Sequence, residues 1–198
     1  MTRVIGFDCG GVLLTNSWDP EEISKKFGFP SRELWRKTWE NAKPLERGWI
    51  SEEDFLTEVL DDHVSSLEKV KREVRHQMYV LHPENFDLIR KLKEKYELAL
   101  MNNECREWNY YRMRRFKLGE LFDHIFSSCD MGVAKPDESY YREVLRRLGV
   151  EPRNLLFVDD TEGNVRSAER LGIRSIRFKS PSQLKDELAK LGIMCDFR

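Results

Sequence analysis

The chain has 198 residues and 40% hydrophobic content, enough for one domain with a buried core and room for a modest insertion. Thirty-four basic residues stand against 35 acidic ones, which disfavours wrapping nucleic acid or clinging to an anionic membrane. Cys9, Cys105, Cys129 and Cys195 form no CxxC pair and no apolar run approaches the roughly 20 residues of a membrane span, so a zinc site, a disulfide framework and membrane insertion are disfavoured and a reducing cytoplasm is expected. The first predicted strand, residues 3–7, ends at Asp8 and opens into Cys9-Gly10-Gly11. A carboxylate at that point, with two glycines that let backbone approach an anion, is a candidate nucleophile.

Four helical segments follow. Asp19-Pro20-Glu21-Glu22 and Ser51-Glu52-Glu53-Asp54 have the form of capped starts, Ser31 opens a helix carrying Leu34, Trp35 and Trp39, and Leu67 to Leu81 reads as the fourth. The insert from Asn16 to Leu81 is therefore expected to be a small helical bundle. Trp18, Trp35, Trp39 and Trp49 are expected mainly in its core, with Trp18 and Trp49 the better candidates for ligand contact because they lie near turns.

Beyond the insert, strands are predicted at Leu98 to Met101, His124 to Ser127, Leu155 to Val158 and Ser175 to Phe178. Helices are expected from Pro136 to the stop at Gly149, from Asn164 to Leu171, and after the capped start Ser180-Pro181-Ser182-Gln183. The basic stretch Arg106 to Lys117, with Arg112, Arg114 and Arg115, reads as a solvated helix face. Most of the strand runs are continuously apolar, which indicates burial on both faces and hence a parallel sheet covered by helices. About ninety residues separate the first two strands, where a parallel crossover needs only a dozen or more, so the insert is additional to the core.

Polar residues follow each of the first four strands: Asp8, then Asn102-Asn103-Glu104, then Lys135-Pro136, then Asp159-Asp160-Thr161-Glu162-Gly163-Asn164. Each alone is explained by a turn or a helix cap. Four complementary groups at four strand ends, which an open parallel sheet gathers in one crevice, point to a ligand site.

This order of motifs, covering nearly the whole chain, resembles the haloacid dehalogenase-like hydrolase superfamily. Within it the nearest likeness is to the subgroup whose first motif reads Asp-x-Gly-Asn/Gly-Val, which includes small sugar-phosphate phosphatases. The resemblance implies a Rossmann-like α/β core of five parallel strands in the order 5-4-1-2-3, formed by residues 1–15 and 82–198, with residues 16–81 as a helical cap. It implies a phosphomonoesterase acting on a small phosphorylated metabolite, with Asp8 as the nucleophile that becomes an aspartyl phosphate. Mg²⁺ is implied as cofactor, held by Asp8, Asp160 and the main-chain carbonyl of Gly10, with Asp159 and Asn164 on its outer waters. Lys135, Asn102, Asn103 and Gly11 are implied at the phosphate. A carboxylate facing a phosphate dianion meets repulsion of ~4 kcal/mol for even one charge pair at about 4 Å, which a divalent cation and Lys135 would offset.

Two departures from the family pattern matter. Asn102 stands where Ser or Thr is usual, and Gly10 stands where most family phosphatases carry a second Asp that protonates the leaving alcohol and later activates water. General acid–base help is typically worth ~10²–10⁴-fold. Either the substrate is an aryl, acyl or anomeric phosphate that departs easily, or the cap supplies the proton donor. Arg47 and Trp49, in the turn Leu45-Glu46-Arg47-Gly48-Trp49, are candidate substrate contacts from the cap, as is Arg36. The rival readings are a degenerate binding or regulatory protein, a metal-independent 2-haloacid dehalogenase, for which the expected aromatic at position 10 is absent, and a phosphonate-cleaving enzyme using a cap lysine (Lys25, Lys26, Lys37 or Lys43). The oligomeric state is not readable from the residues.

Overall fold

A computed structural model describes residues 2–61 and 66–193. Five strands, β1 (Val4–Phe7), β2 (Glu97–Asn102), β3 (His124–Ser127), β4 (Leu155–Asp159) and β5 (Arg174–Arg177), form one sheet in the order β3-β2-β1-β4-β5 with every pairing parallel. This is the expected 5-4-1-2-3 order. The continuity of the apolar runs has the anticipated cause, because alternate residues feed opposite faces. Ile5, Phe7, Leu98, Leu100, Leu156 and Val158 pack on one face against α5 (Pro83–Lys93), α7 (Leu118–Leu121) and α11 (Pro181–Lys190). Val4, Ala99, Met101, Leu155 and Phe157 pack on the other against Tyr140, Tyr141 and Val144 of α9 (Glu138–Leu148) and Ala168 of α10 (Glu162–Arg170).

The segment between β1 and α5 is helical, as predicted: α1 (Pro20–Phe27), α2 (Ser31–Glu46), α3 (Glu52–Leu60) and α4 (Leu67–Gln77). Asp19 caps α1 by accepting from the amides of Glu21 and Glu22, and Ser51 and Asp54 form a reciprocal capping box on α3. The fourth helix stops at Gln77 rather than Leu81, because the chain there extends back to the sheet. Thr15 N donates to Tyr79 O at 3.1 Å, Leu81 N donates to Leu13 O at 2.9 Å, and Leu14 bridges Val80, so the two connections run side by side.

The bundle's apolar cluster, including Ile23, Leu34, Leu45, Phe55, Leu56, Val70 and Val74, extends onto Cys105 and onto Trp108 of α6 (Arg106–Arg115). Insert and sheet domain thus share a core. Trp18 lies in it, edge-on to Phe55 at 5.3 Å and stacked on Trp108 at 6.2 Å, with its indole N–H donated to Thr38. The expectation that the other insert tryptophans are core residues is corrected: Trp35, Trp39 and Trp49 are 39%, 73% and 68% exposed. Helix phase explains the first two. Leu34, Thr38 and Leu45 form the buried face of α2, and Trp35 and Trp39 each sit one residue, about 100°, further round.

A second correction concerns α6. Arg114 and Arg115 are solvated, but Arg112 is 2% exposed, so the basic stretch is not a uniform surface face. Cys9, Cys105 and Cys129 are buried free thiols, while Cys195 lies outside the described residues. Among the described residues, no helix is long and apolar enough to cross a membrane.

Candidate active site

The carboxyl ends of β1, β2, β3 and β4 converge, and Lys135 lies at the centre. Its Nζ donates to Asp8 Oδ1 at 2.8 Å and to Asp159 Oδ2 at 2.7 Å, with its side chain 1% exposed. Burial alone would lower the Lys135 pKa, but Asp159 and Asp8 outweigh it and hold the ammonium charged. Asp159 is fixed further by Thr161 N, which donates to Oδ1, and by Asn164 Nδ2, which donates to both carboxylate oxygens.

Asp8, Asp159 and Asp160 each place a carboxylate oxygen within 4.8 Å of the others. Burial pushes Asp8 up to about 7, with Lys135 opposing and Asp159 and Asp160 adding to the rise; Asp160 is raised by burial and by Asp159. Three carboxylates share one lysine. An all-oxygen donor set with excess negative charge fits a hard divalent cation, whose charge would return Asp8 to its anionic, nucleophilic form. Gly11 completes the cradle: its φ is +71°, and a Cβ there would collide with the Asp160 carboxylate. Beside it, Gly10 offers no side chain, and a Cβ would come within 2.5 Å of Asn16 Oδ1.

The insert reaches this crevice through the end of α2 and the turn after it. Glu46 Oε2 accepts from Asn103 Nδ2 at 3.1 Å, and Ser128 Oγ, in α8 (Ser128–Met131), donates to Glu46 O at 2.5 Å. Arg47 pairs with Asp137 at 2.5 Å and lies over the Trp49 ring, while Gly48 passes so close to Cys129 that a Cβ would stand 2.6 Å from its carbonyl oxygen. Burial pushes Glu46 up to about 7, Glu104 adds to the rise, and Lys135, Arg47 and the Asn103 amide oppose it.

A family model described as haloacid dehalogenase-like hydrolase matches residues 12–178. The chain belongs to this family of hydrolases. Flavin mononucleotide hydrolase 1 of Arabidopsis thaliana is 28% identical over 179 residues, covering 87% of this chain and 71% of that protein. A sesquiterpene phosphatase of Aspergillus oryzae is 29% identical over 192 residues, 93% of this chain and 94% of its own. Among solved structures, a wild-type HAD family enzyme from Bacteroides thetaiotaomicron in complex with magnesium and inorganic phosphate superposes with a TM-score of 0.76 at 25% identity, covering 91% of this chain and 96% of that one.

Placed within a haloacid dehalogenase-like hydrolase, the residues expected at the site divide into two groups. Asp8, Gly10, Gly11, Lys135, Asp159 and Asp160 gather as described. Asn102 and Asn103 do not both face the crevice. Asn102 is 1% exposed, donates from Nδ2 to Asn109 and accepts from Ser127, which leaves one N–H for any ligand. Asn103 spends both amide hydrogens on Glu46 Oε2 and Lys135 O and accepts from Lys135 N, so it clamps the lysine loop rather than presenting a donor to phosphate. Asn164 likewise holds Asp159 instead of reaching outward. Arg47 is committed to Asp137, Trp49 is exposed beside it, and Arg36 pairs with Glu40 on the surface.

Three charged residues were missed. Glu46 stood inside the noted turn, and a carboxylate two residues before a glycine in a crevice-facing turn was the available signal. Glu104 follows the Asn102-Asn103 pair directly, and its burial together with Arg112 had no signal in the chain.

Proposed function

We propose that this hydrolase is a Mg²⁺-dependent phosphomonoesterase acting on a small phosphorylated metabolite, such as a sugar phosphate, through an aspartyl phosphate on Asp8. The observation that carries the reading is Asp8 at the end of β1, held by Lys135 beside the Asp159 and Asp160 carboxylates. Phosphatase names among relatives that span most of the chain, and a magnesium and phosphate complex of a structural neighbour, support it.

In this reading Asp8 Oδ attacks phosphorus in line with the leaving oxygen. Lys135 neutralises charge on the nucleophile and on the incoming phosphoryl oxygens, and Asn103 and Asn164 keep the lysine and Asp159 in place. Asp8, Asp160 and the Gly10 carbonyl would hold the cation, with Asp159 behind them, and the cation would supply charge neutralisation at the phosphoryl group. Residues 16–81 serve as the cap over residues 1–15 and 82–198, and the Glu46–Trp49 turn is the part of the cap that meets substrate.

The test is phosphate release from a broad panel of phosphate monoesters, with Mg²⁺ and with a chelator, for the natural chain and Asp8→Asn. Turnover that needs Mg²⁺ and disappears in Asp8→Asn is expected, together with an acid-stable +80 Da adduct on the Asp8 peptide, the mass of one phosphoryl group, in quenched reactions. Phosphate binding with no Mg²⁺-dependent turnover anywhere in the panel would instead favour a degenerate binding protein.

A further inference from the structure

Resting on the phosphatase reading, we propose that Glu46 is the general acid and base of this enzyme, delivered from the insert to replace the side chain that Gly10 lacks. In an in-line displacement the leaving oxygen departs on the side of phosphorus opposite Asp8, away from the strand ends. A proton donor must stand there, and position 10 offers only hydrogen. Asn16 Oδ1 lies 2.5 Å from where a Cβ of residue 10 would be, and a neutral amide oxygen carries no proton to give.

Glu46 comes to the site from the insert, not from a strand end, and its Oε2 accepts from Asn103, the residue bonded to the backbone of Lys135. Three consecutive residues dock its helix end on the sheet domain: Glu46 O on Ser128, Arg47 on Asp137, and Gly48 on the Cys129 backbone. The Glu46 carboxyl is oriented by Asn103, which is clamped to Lys135 through both of that residue's backbone groups. Its Oε1 accepts no hydrogen bond among the described residues and is the atom available to a substrate. The charged groups that act on it are Glu104 from the loop after β2, Lys135 from the loop after β3, and neighbouring Arg47; burial and Glu104 favour the neutral acid, so that near pH 7 both protonation states are populated.

The step balances. As the Asp8 Oδ–phosphorus bond forms, the bond from phosphorus to the leaving oxygen breaks, its electron pair stays on that oxygen, and the Glu46 proton moves to it, giving the free alcohol. The Glu46 carboxylate then takes a proton from the water that attacks phosphorus. The Asp8–phosphoryl bond breaks, and inorganic phosphate, the Asp8 carboxylate and protonated Glu46 remain.

The experiment measures kcat/KM and kcat for Glu46→Gln and the natural enzyme with Mg²⁺ on a series from highly activated aryl phosphates to alkyl phosphates. A dinitrophenyl ester, which needs no protonation to depart, should keep kcat/KM, which reports only the steps through departure of the leaving group, within ~3-fold of the natural value, and this also verifies that the variant is folded. The kcat for that ester should fall, because hydrolysis of the aspartyl phosphate draws on Glu46 as base for every substrate. Alkyl esters should lose ~10²–10⁴-fold in kcat/KM. An equal loss of kcat/KM across the series, or no loss of kcat/KM with alkyl esters, overturns the role of Glu46. In the natural enzyme, kcat/KM should fall on the alkaline side of pH 7 for alkyl esters and not for the dinitrophenyl ester; the same limb in both also overturns it, and this measurement stands even where the variant does not fold. Absence of turnover by the natural enzyme, or its survival in Asp8→Asn, strikes the phosphatase reading instead.

Discussion

Lys135 Nζ lies 2.8 Å from Asp8 Oδ1 and 2.7 Å from Asp159 Oδ2, so a single buried ammonium joins the end of β1 to the end of β4. Replacing it with methionine keeps much of the volume and leaves the two carboxylates facing each other. Removing one partner of a buried ion pair costs about 3–5 kcal/mol. Lys135→Met should lower stability by that order in metal-free denaturant unfolding, and Mg²⁺ should recover part of the loss by supplying positive charge. Turnover should fall by at least ~10²-fold. An unfolding midpoint unchanged without metal would contradict the geometry.

Gly11 tests the cation site separately from the nucleophile. At φ +71° an alanine is strained, and its Cβ would push the Asp160 carboxylate out of the cluster. Gly11→Ala should raise the Mg²⁺ concentration for half-maximal activity by ~10-fold or more, with calorimetry showing the same weakening of binding. Loss of activity with unaltered Mg²⁺ affinity would mean that Asp160 does not hold the ion.

The parallel sheet, the four strand-end motifs and the helical nature of the insert were legible because each leaves a local mark: continuous apolar runs, glycine stops, capping residues and an overlong crossover; the strand order leaves none and came only from the family resemblance. Lys135 and the three aspartates could be placed because parallel topology brings strand ends together whatever the loops do. What escaped depended on packing between distant segments. Trp35 and Trp39 recur at helical spacing, but spacing alone does not say which stripe of α2 faces inward, and Leu34, Thr38 and Leu45 took that face. Asn103 looked like a ligand donor until both its amide hydrogens were accounted for by Glu46 and the Lys135 backbone. Arg112 looked solvated because a basic helix gives no hint of a buried carboxylate, Glu104, waiting on the preceding loop.

That pair carries a prediction of its own. Arg112 Nη1 lies 3.1 Å from Glu104 Oε2, Nη2 donates to Thr15 O at 2.5 Å, and Ser17 Oγ donates to Glu104, so the pair ties the connection into the insert to the loop after β2. Glu104→Gln leaves a buried guanidinium without a counter-charge and should cost about 3–5 kcal/mol. Glu104→Met combined with Arg112→Met should cost less than the sum of the two single methionine changes, because no uncompensated charge remains. Additive losses in denaturant unfolding would show that the two side chains act independently.

Glu46 makes the stability of the enzyme depend on pH in a direction that follows from its raised pKa. Unfolded, the carboxyl titrates near 4.5; folded, burial and Glu104 move it to about 7. Between these values the folded chain binds more protons than the unfolded one, so unfolding free energy falls as pH rises. Below pH 4.5 Glu46 is neutral in both states and imposes no penalty. The penalty grows through the interval and is complete above pH 7, at up to about 3 kcal/mol for a shift of this size. Glu46→Gln is neutral throughout and keeps an acceptor for Asn103. Its stability relative to the natural chain should therefore rise from pH 4.5 to 7 and level off above, in metal-free denaturant titrations at matched ionic strength. A stability difference that is flat across that window would place the Glu46 carboxyl in solvent rather than between Asn103, Glu104 and Lys135.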